Sequence, residues 1–204
     1  MILTNKFLSI SVVSLLFLTS CGNNEISTSS TDPMVEPLAP AGWVDAAARF
    51  AGPDGADKGY IAFKNSPGAG VLIRVDLKDL SPGWHGIHLH QVADCSDGAD
   101  GFKASGGHVD PDGRAHGLLN PDGSERADLP NIYAGSDGRA TAEIFNDQVA
   151  LYASEAAAAE AGPYPLMDAD GFAVIVHEAA DDHVKQPIGG AGARVACAAA
   201  PGAE

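Results

Sequence analysis

The chain has 204 residues, with 12 lysines and arginines set against 27 aspartates and glutamates, seven histidines and a formal net charge of −15. So acidic a surface argues against nucleic acid as a partner. With 45% hydrophobic residues, 24 glycines and 13 prolines, the composition points to one globular domain heavily punctuated by turns.

Residues 1–20, MILTNKFLSISVVSLLFLTS, carry a single cation, Lys6, and then an apolar run from Phe7 to Leu18. This pattern predicts a secretory signal, too short to span a bilayer comfortably as a helix. Leu18-Thr19-Ser20-Cys21 reads as a lipoprotein processing box, which would leave Cys21 as a lipidated amino terminus and the protein anchored at a membrane. The expected location is therefore exported, on the periplasmic or cell-surface side, and Gly22 after Cys21 favours an outer membrane where there is one. Removing residues 1–20 removes only Lys6, leaving 11 cations against 27 carboxylates and a mature charge of −16.

Three cysteines in an exported chain leave one over; Cys21 is the natural odd one, and Cys95 and Cys197 remain to pair in an oxidising compartment. Residues 21–42 are polar, then proline-punctuated, and show no period that would bury a face, so they read as a tether. One domain is expected over residues 43–200, followed by a short tail at 201–204.

Within the domain, short β-type runs lie between glycines and prolines: Ala46 to Phe50, Tyr60 to Phe63, Val71 to Leu77, Gly86 to His90, Ala140 to Phe145, Phe172 to Val176 and Ala193 to Cys197. Their brevity and regularity predict an all-β antiparallel sandwich or barrel. Val71 to Leu77 alternates most clearly, with Val71, Ile73, Val75 and Leu77 on one face and Arg74, Asp76 and Lys78 on the other. The alanines and glutamates of Ala153 to Ala161 predict a short helical or irregular insertion. Between Val92 and Ile132 some forty residues rich in Gly, Asp, Pro and Asn lack apolar periodicity, as a functional loop would.

His88 and His90 form His-x-His on a strand run, so both side chains leave the same face, as two ligands of one metal must. Alone, the pair fits a wet sheet face equally well. His108 and His116 sit in the glycine-rich loop, where the backbone is free to let side chains converge on an ion. Glu125 and Asp128 could add carboxylate oxygens, although by themselves they read more readily as a solvated acidic turn. His177 closes the run Phe172 to Val176, where a lone histidine is usually a capping or core residue.

Taken together, the segments HGIHLHQVADCSD, SGGHVDP, HGLLNPDG, ADLPN, DADGFAVIVHEAADD and GGAGARVAC resemble the Cu/Zn superoxide dismutase family in order and spacing from about Gly86 to Cys197. The resemblance implies an eight-stranded Greek-key antiparallel β-barrel with long metal-binding and electrostatic loops. It places copper on His88, His90 and His177 and makes His108 the imidazolate that bridges copper and zinc. His116 and Asp128 match two further zinc ligands. The remaining zinc histidine of the family's pattern is replaced here by Glu125, which is expected to serve as an oxygen ligand. Asp181 falls on the carboxylate that links and orients His88 and His116, and Arg194 on the arginine that draws anionic superoxide to the copper, with Lys185 in support. His85 matches a structural histidine, His183 matches nothing functional, and Cys95 and Cys197 match the family's disulfide.

The implied reaction disproportionates superoxide to dioxygen and hydrogen peroxide outside the cytoplasm, with His108 exchanging a proton as the copper changes oxidation state. The alternative is an anchored copper-binding or buffering protein on the same barrel with little turnover. A homodimer is left open.

Overall fold

In strand β3 (Gly70–Leu77), Val71, Ile73, Val75 and Leu77 enter the core while Arg74 and Asp76 face outward. The outward pair is matched across the neighbouring strand: Arg74 lies opposite Glu143 with Nε 2.5 Å from its carboxylate, and Asp76 accepts from Arg139 at 2.7 Å. Cross-strand pairs of this kind pin the register of a half-buried strand. The computed structural model describes residues 44–66, 70–153, 162–200 and 202. The signal, Cys21, the tether, the insertion after Ala153 and most of the tail lie outside the described residues.

The remaining strands are β1 (Ala46–Ala51), β2 (Asp57–Ser66), β4 (Gly83–His85), β5 (Ile87–His90), β6 (Ile132–Ala134), β7 (Ala140–Asn146), β8 (Val149–Ala150), β9 (Tyr164–Pro165), β10 (Phe172–His177) and β11 (Arg194–Ala200). A seven-stranded antiparallel sheet runs β5-β10-β11-β1-β2-β3-β7. Each of its strands overlaps one of the seven runs expected from the sequence, with β5 and β11 starting one residue later than expected. The run Gly86 to His90 is the second half of a longer strand broken at Gly86: β4 pairs with β6, and β5 with β10. Counting β4 and β5 as one strand, eight strands form the ribbon, and the turn between β6 and β7, closed by Gly135 N–H to Arg139 C=O, joins its two ends. The fold is all-β, and among the described residues the helical elements are two 3₁₀ turns, Gly98–Asp100 and Lys103–Ser105.

Strand β10 is buried along its whole length. Phe172, Val174 and Val176 point into the barrel, and Ala173 and Ile175 point out, where Phe102 and Cys197 cover them. The loop carrying Phe102 is held there by the Cys95–Cys197 disulfide, whose Cα atoms are 5.8 Å apart. A second stretch of the same loop runs beside β5. Val109 N–H donates to Leu89 C=O, Leu89 N–H to Ala127 C=O, and isolated bridges join His90 to His108 and His88 to Asp128. The long loop thus returns twice to the one strand that carries His-x-His.

Candidate metal centre

Ile87 and Leu89 of β5 fill the core, so the two-residue period puts His88 and His90 on the outer face, opposite Ile175 and Ala173 of β10. His177 ends β10 where the register with β11 shifts between Val176 and His177, a bulge that re-aims the chain. The loop bridges bring His108 alongside. Ring centres of His88 stand 4.4 Å from His108 and 5.0 Å from His177, and those of His90 and His108 are 5.1 Å apart. Ligand atoms of His88, His108 and His177 lie within 4.8 Å of one another, and His90 flanks this group.

Each imidazole has one nitrogen fixed by the protein and the other left over. His90 Nδ1 donates to Gly106 C=O at 2.9 Å, His177 Nδ1 to Gly192 C=O at 3.0 Å, and His88 Nε2 to Asp181 Oδ2 at 2.9 Å. These donors set the tautomers, leaving lone pairs on His88 Nδ1, His90 Nε2 and His177 Nε2; together with His108 Nε2, all four nitrogens are buried and have no hydrogen-bond partner. Leaving such groups unsatisfied in a folded interior costs about 1–3 kcal/mol each, and an ion removes that cost. Burial pushes the His90 imidazole down to about 2 and His177 down to about 4, and it also lowers His88, so these rings are neutral and able to donate at pH 7. Four buried imidazoles with free nitrogen lone pairs suit copper.

The second cluster adjoins the first through His108. Its Nδ1 stands 2.5 Å from Glu125 Oε2, and Glu125 Oε2 is 3.3 Å from His116 Nδ1. Asp128 Oδ1 is 2.7 Å from the same His116 nitrogen but makes no aligned hydrogen bond, as two donors aimed at a common point would not. His108, His116, Glu125 and Asp128 present ligand atoms all within 4.8 Å of one another, a set of two nitrogens and two oxygens that suits zinc. The departure at Glu125 therefore keeps a donor in the cluster. Burial would raise the Glu125 pKa, but hydrogen bonds with His108 and His116 outweigh it and hold the carboxyl at about 2. For His116, burial is likewise outweighed, by Asp128, Asp181 and Glu125, which push the imidazole up to about 11 while no metal is bound.

Asp181 joins the two clusters, with Oδ2 2.9 Å from His88 Nε2 and 3.1 Å from His116 Nε2. Burial opposes its charge, yet His116 and His88 hold its carboxyl well below the usual range. Arg194 lies beside the first cluster. Its guanidinium donates to Phe102 C=O at 2.6 Å, Ser105 Oγ at 3.1 Å and Gly106 C=O at 3.1 Å, and its charge helps keep His90 and His177 neutral. Lys185 does not stand as a free cation: Asp182 pairs with it at 2.7 Å. His85 is held by two carbonyls, His177 C=O at 2.7 Å and Ser81 C=O at 2.8 Å, which leaves no nitrogen for a metal. Asn131, Gly189 and His183 pack around Asp181, and no sequence signal marks them, apart from Asn131 closing the segment ADLPN.

Residues 57–200 match the family model of copper/zinc superoxide dismutase. The chain is 48% identical over 145 residues to "Superoxide dismutase [Cu-Zn]" of Caulobacter vibrioides, covering 71% of this chain and 78% of that protein. Among solved structures, a double mutant of a superoxide-dismutase-like protein from Bacillus subtilis matches with a TM-score of 0.69 and 32% identity, over 76% of this chain and 97% of the other. The Cu/Zn superoxide dismutase of Brucella abortus matches with a TM-score of 0.54 and 28% identity, over 75% and 97%. With the eight-strand ribbon and the paired imidazole and carboxylate clusters, these matches place the chain in the copper/zinc superoxide dismutase family.

Proposed function

We propose that the protein is an exported superoxide dismutase that converts two superoxide ions and two protons to dioxygen and hydrogen peroxide. The observation that carries this reading is the set of four buried, unpartnered imidazole nitrogens on His88, His90, His108 and His177 beside the guanidinium of Arg194. These four would hold copper, which when bound supplies one-electron exchange in both directions, and His108, His116, Glu125 and Asp128 would hold zinc. The remaining work belongs to the chain. Carbonyls of Gly106 and Gly192 and the carboxylate of Asp181 orient three of the copper rings. Arg194, fixed by Phe102, Ser105 and Gly106, has N–H donors to spare for an anion and gives a local positive field in a protein whose net charge repels one. A storage protein needs neither that guide nor a histidine shared between two metal clusters.

The test is a superoxide disproportionation assay on full-length protein loaded with copper and zinc. Rapid, copper-dependent turnover is expected; stoichiometric copper binding with no turnover replaces the enzyme with a copper-buffering protein.

Export and anchoring rest on Lys6, the apolar run and Leu18-Thr19-Ser20-Cys21, and a disulfide between Cys95 and Cys197 suits an oxidising compartment. Among the described residues no helix is long and apolar enough to cross a membrane. Cell fractionation with mass analysis of the amino terminus should find Cys21 acylated and the protein with the membranes; an unmodified, soluble protein removes the anchor.

A further inference from the structure

His183 has no part in the reading so far, yet it touches the carboxylate on which that reading turns. Besides His88 and His116, Asp181 accepts the backbone N–H of His183 on Oδ1 at 2.6 Å. The His183 ring stands over the same group, its buried Nδ1 3.3 Å from Asp181 Oδ2 in a polar contact too oblique for a linear hydrogen bond.

Asn131 determines where the proton of that ring sits. Asn131 Oδ1 accepts the Asp181 N–H at 2.9 Å and Nδ2 donates to the Asp181 C=O at 2.8 Å, so two backbone groups fix which end of the amide is which. The same Nδ2 lies 3.1 Å from His183 Nε2. An amide NH₂ only donates, so Nε2 accepts, and the ring's N–H is at Nδ1, facing the carboxylate.

The backbone is arranged to hold the ring there. His183 has φ of 61°, in the left-handed region that a non-glycine residue occupies at a cost. Its carbonyl accepts the N–H of Leu119 at 3.1 Å and comes so close to Gly117 that a Cβ there would overlap it, which ties this turn to the segment carrying His116. A ring that merely filled space beside Trp84, Pro130 and Ala180 would need neither an acceptor role toward Asn131 nor a strained backbone.

We infer that His183 is a positioning residue for both metal sites. As the third imidazole on the Asp181 carboxylate, backed by Asn131, it holds that carboxylate in the one orientation that serves His88 and His116 together. The inference rests on the proposed reading of Asp181 as the link between a copper histidine and a zinc histidine.

Full-length protein loaded with copper and zinc provides the test, with zinc affinity measured against a competing chelator and the copper environment by Cu(II) EPR. His183→Asn tolerates the left-handed backbone and keeps an N–H at the place of Nδ1, whereas His183→Asp puts an oxygen there, and His183→Gly relaxes the backbone but removes the ring. Since groups behind metal ligands typically govern about 10–100-fold in affinity, His183→Asp and His183→Gly are expected to lose roughly tenfold in zinc affinity with a shifted EPR spectrum, while His183→Asn stays within about threefold of the parent. Parent-like zinc binding and spectrum in His183→Asp overturn the inference, as does a loss in His183→Asn equal to that in His183→Asp. Asp181→Ala distinguishes the two levels: no change in that variant removes the link itself, whereas a change in Asp181→Ala with none in His183→Asp removes only the role of His183.

Discussion

Glu125 Oε2 lies 2.5 Å from His108 Nδ1, so the residue that departs from the family's zinc pattern touches the histidine shared by the two clusters. With its carboxyl held at about 2 it is ionised at pH 7 and ready to serve as an oxygen ligand. Protein loaded with both ions should carry copper and zinc in a ratio near one. Glu125→Ala should lower zinc affinity at least about tenfold. Metal analysis of the purified protein checks both, and a copper-to-zinc ratio far above one in the parent would exclude zinc from this cluster.

Arg194→Ile removes three hydrogen bonds to the 102–106 segment as well as the cation. The rate with superoxide should fall several-fold and its dependence on ionic strength should flatten, because a steered encounter is the salt-sensitive part of the rate. Arg194→Lys should keep more of the salt dependence than of the rate, since a point charge cannot reproduce the fork that holds the loop. Steady-state rates across a salt series decide the matter.

Gly189 has φ of 59°, and a methyl group added there would overlap Asp181 Oδ1. Gly189→Ala should therefore displace the carboxylate without altering any residue in the clusters. The expected outcome is a several-fold loss of zinc affinity and a changed Cu(II) spectrum, read by chelator competition and EPR.

The Cys95–Cys197 disulfide closes a loop across 102 positions of sequence. In the chain-entropy model, opening such a loop costs about 4–5 kcal/mol of stability. Cys95→Ser should lower the thermal midpoint markedly. Because the freed segment also supplies the carbonyls that hold Arg194 and His90, the same variant should bind copper less tightly.

Metal-free protein should be most stable near pH 6.5 and lose stability on both sides. On the acid side, His177 has a folded pKa of about 4 against 6.5 unfolded, so the unfolded chain binds the proton first. Stability falls as pH drops below 6.5, by on the order of 3 kcal/mol from this residue once pH 4 is reached. His90, at about 2, acts in the same direction. Glu125, at about 2 against 4.5, adds stability above 4.5 that is lost as pH falls towards 2. On the alkaline side, His116 at about 11 contributes stability that is complete below 6.5 and is lost as pH rises through 11. Calorimetric midpoints across pH, measured with chelator present, should trace this dome; a midpoint that rises steadily from pH 6.5 to 4 contradicts it.

Much of this was legible in the sequence because strand periodicity is a local property. His88 and His90 had to share a face once Ile87 and Leu89 were buried, and each of the seven expected runs became a strand of the main sheet. The interruption at Gly86 was not legible, since it arises from two different partners, β6 and β10, claiming successive halves of one strand. Two-residue pieces such as β8 and β9 carry no period at all. The arrangement around Asp181 was harder still. His88 and Asp181 are 93 positions apart and Asn131 and His183 are 52 apart, so only the family motifs, and not any spacing, brought the first pair together on paper.

One carboxylate serving two histidines would also link the two clusters thermodynamically once they hold metals. A metal held by His116 would leave its Nε2 against Asp181, and the carboxylate would then be preset for His88. By reciprocity, the factor by which filling the carboxylate-rich cluster tightens the imidazole cluster equals the factor in the other direction. Loading order should change the path to the filled protein but leave the product of the two affinities unchanged.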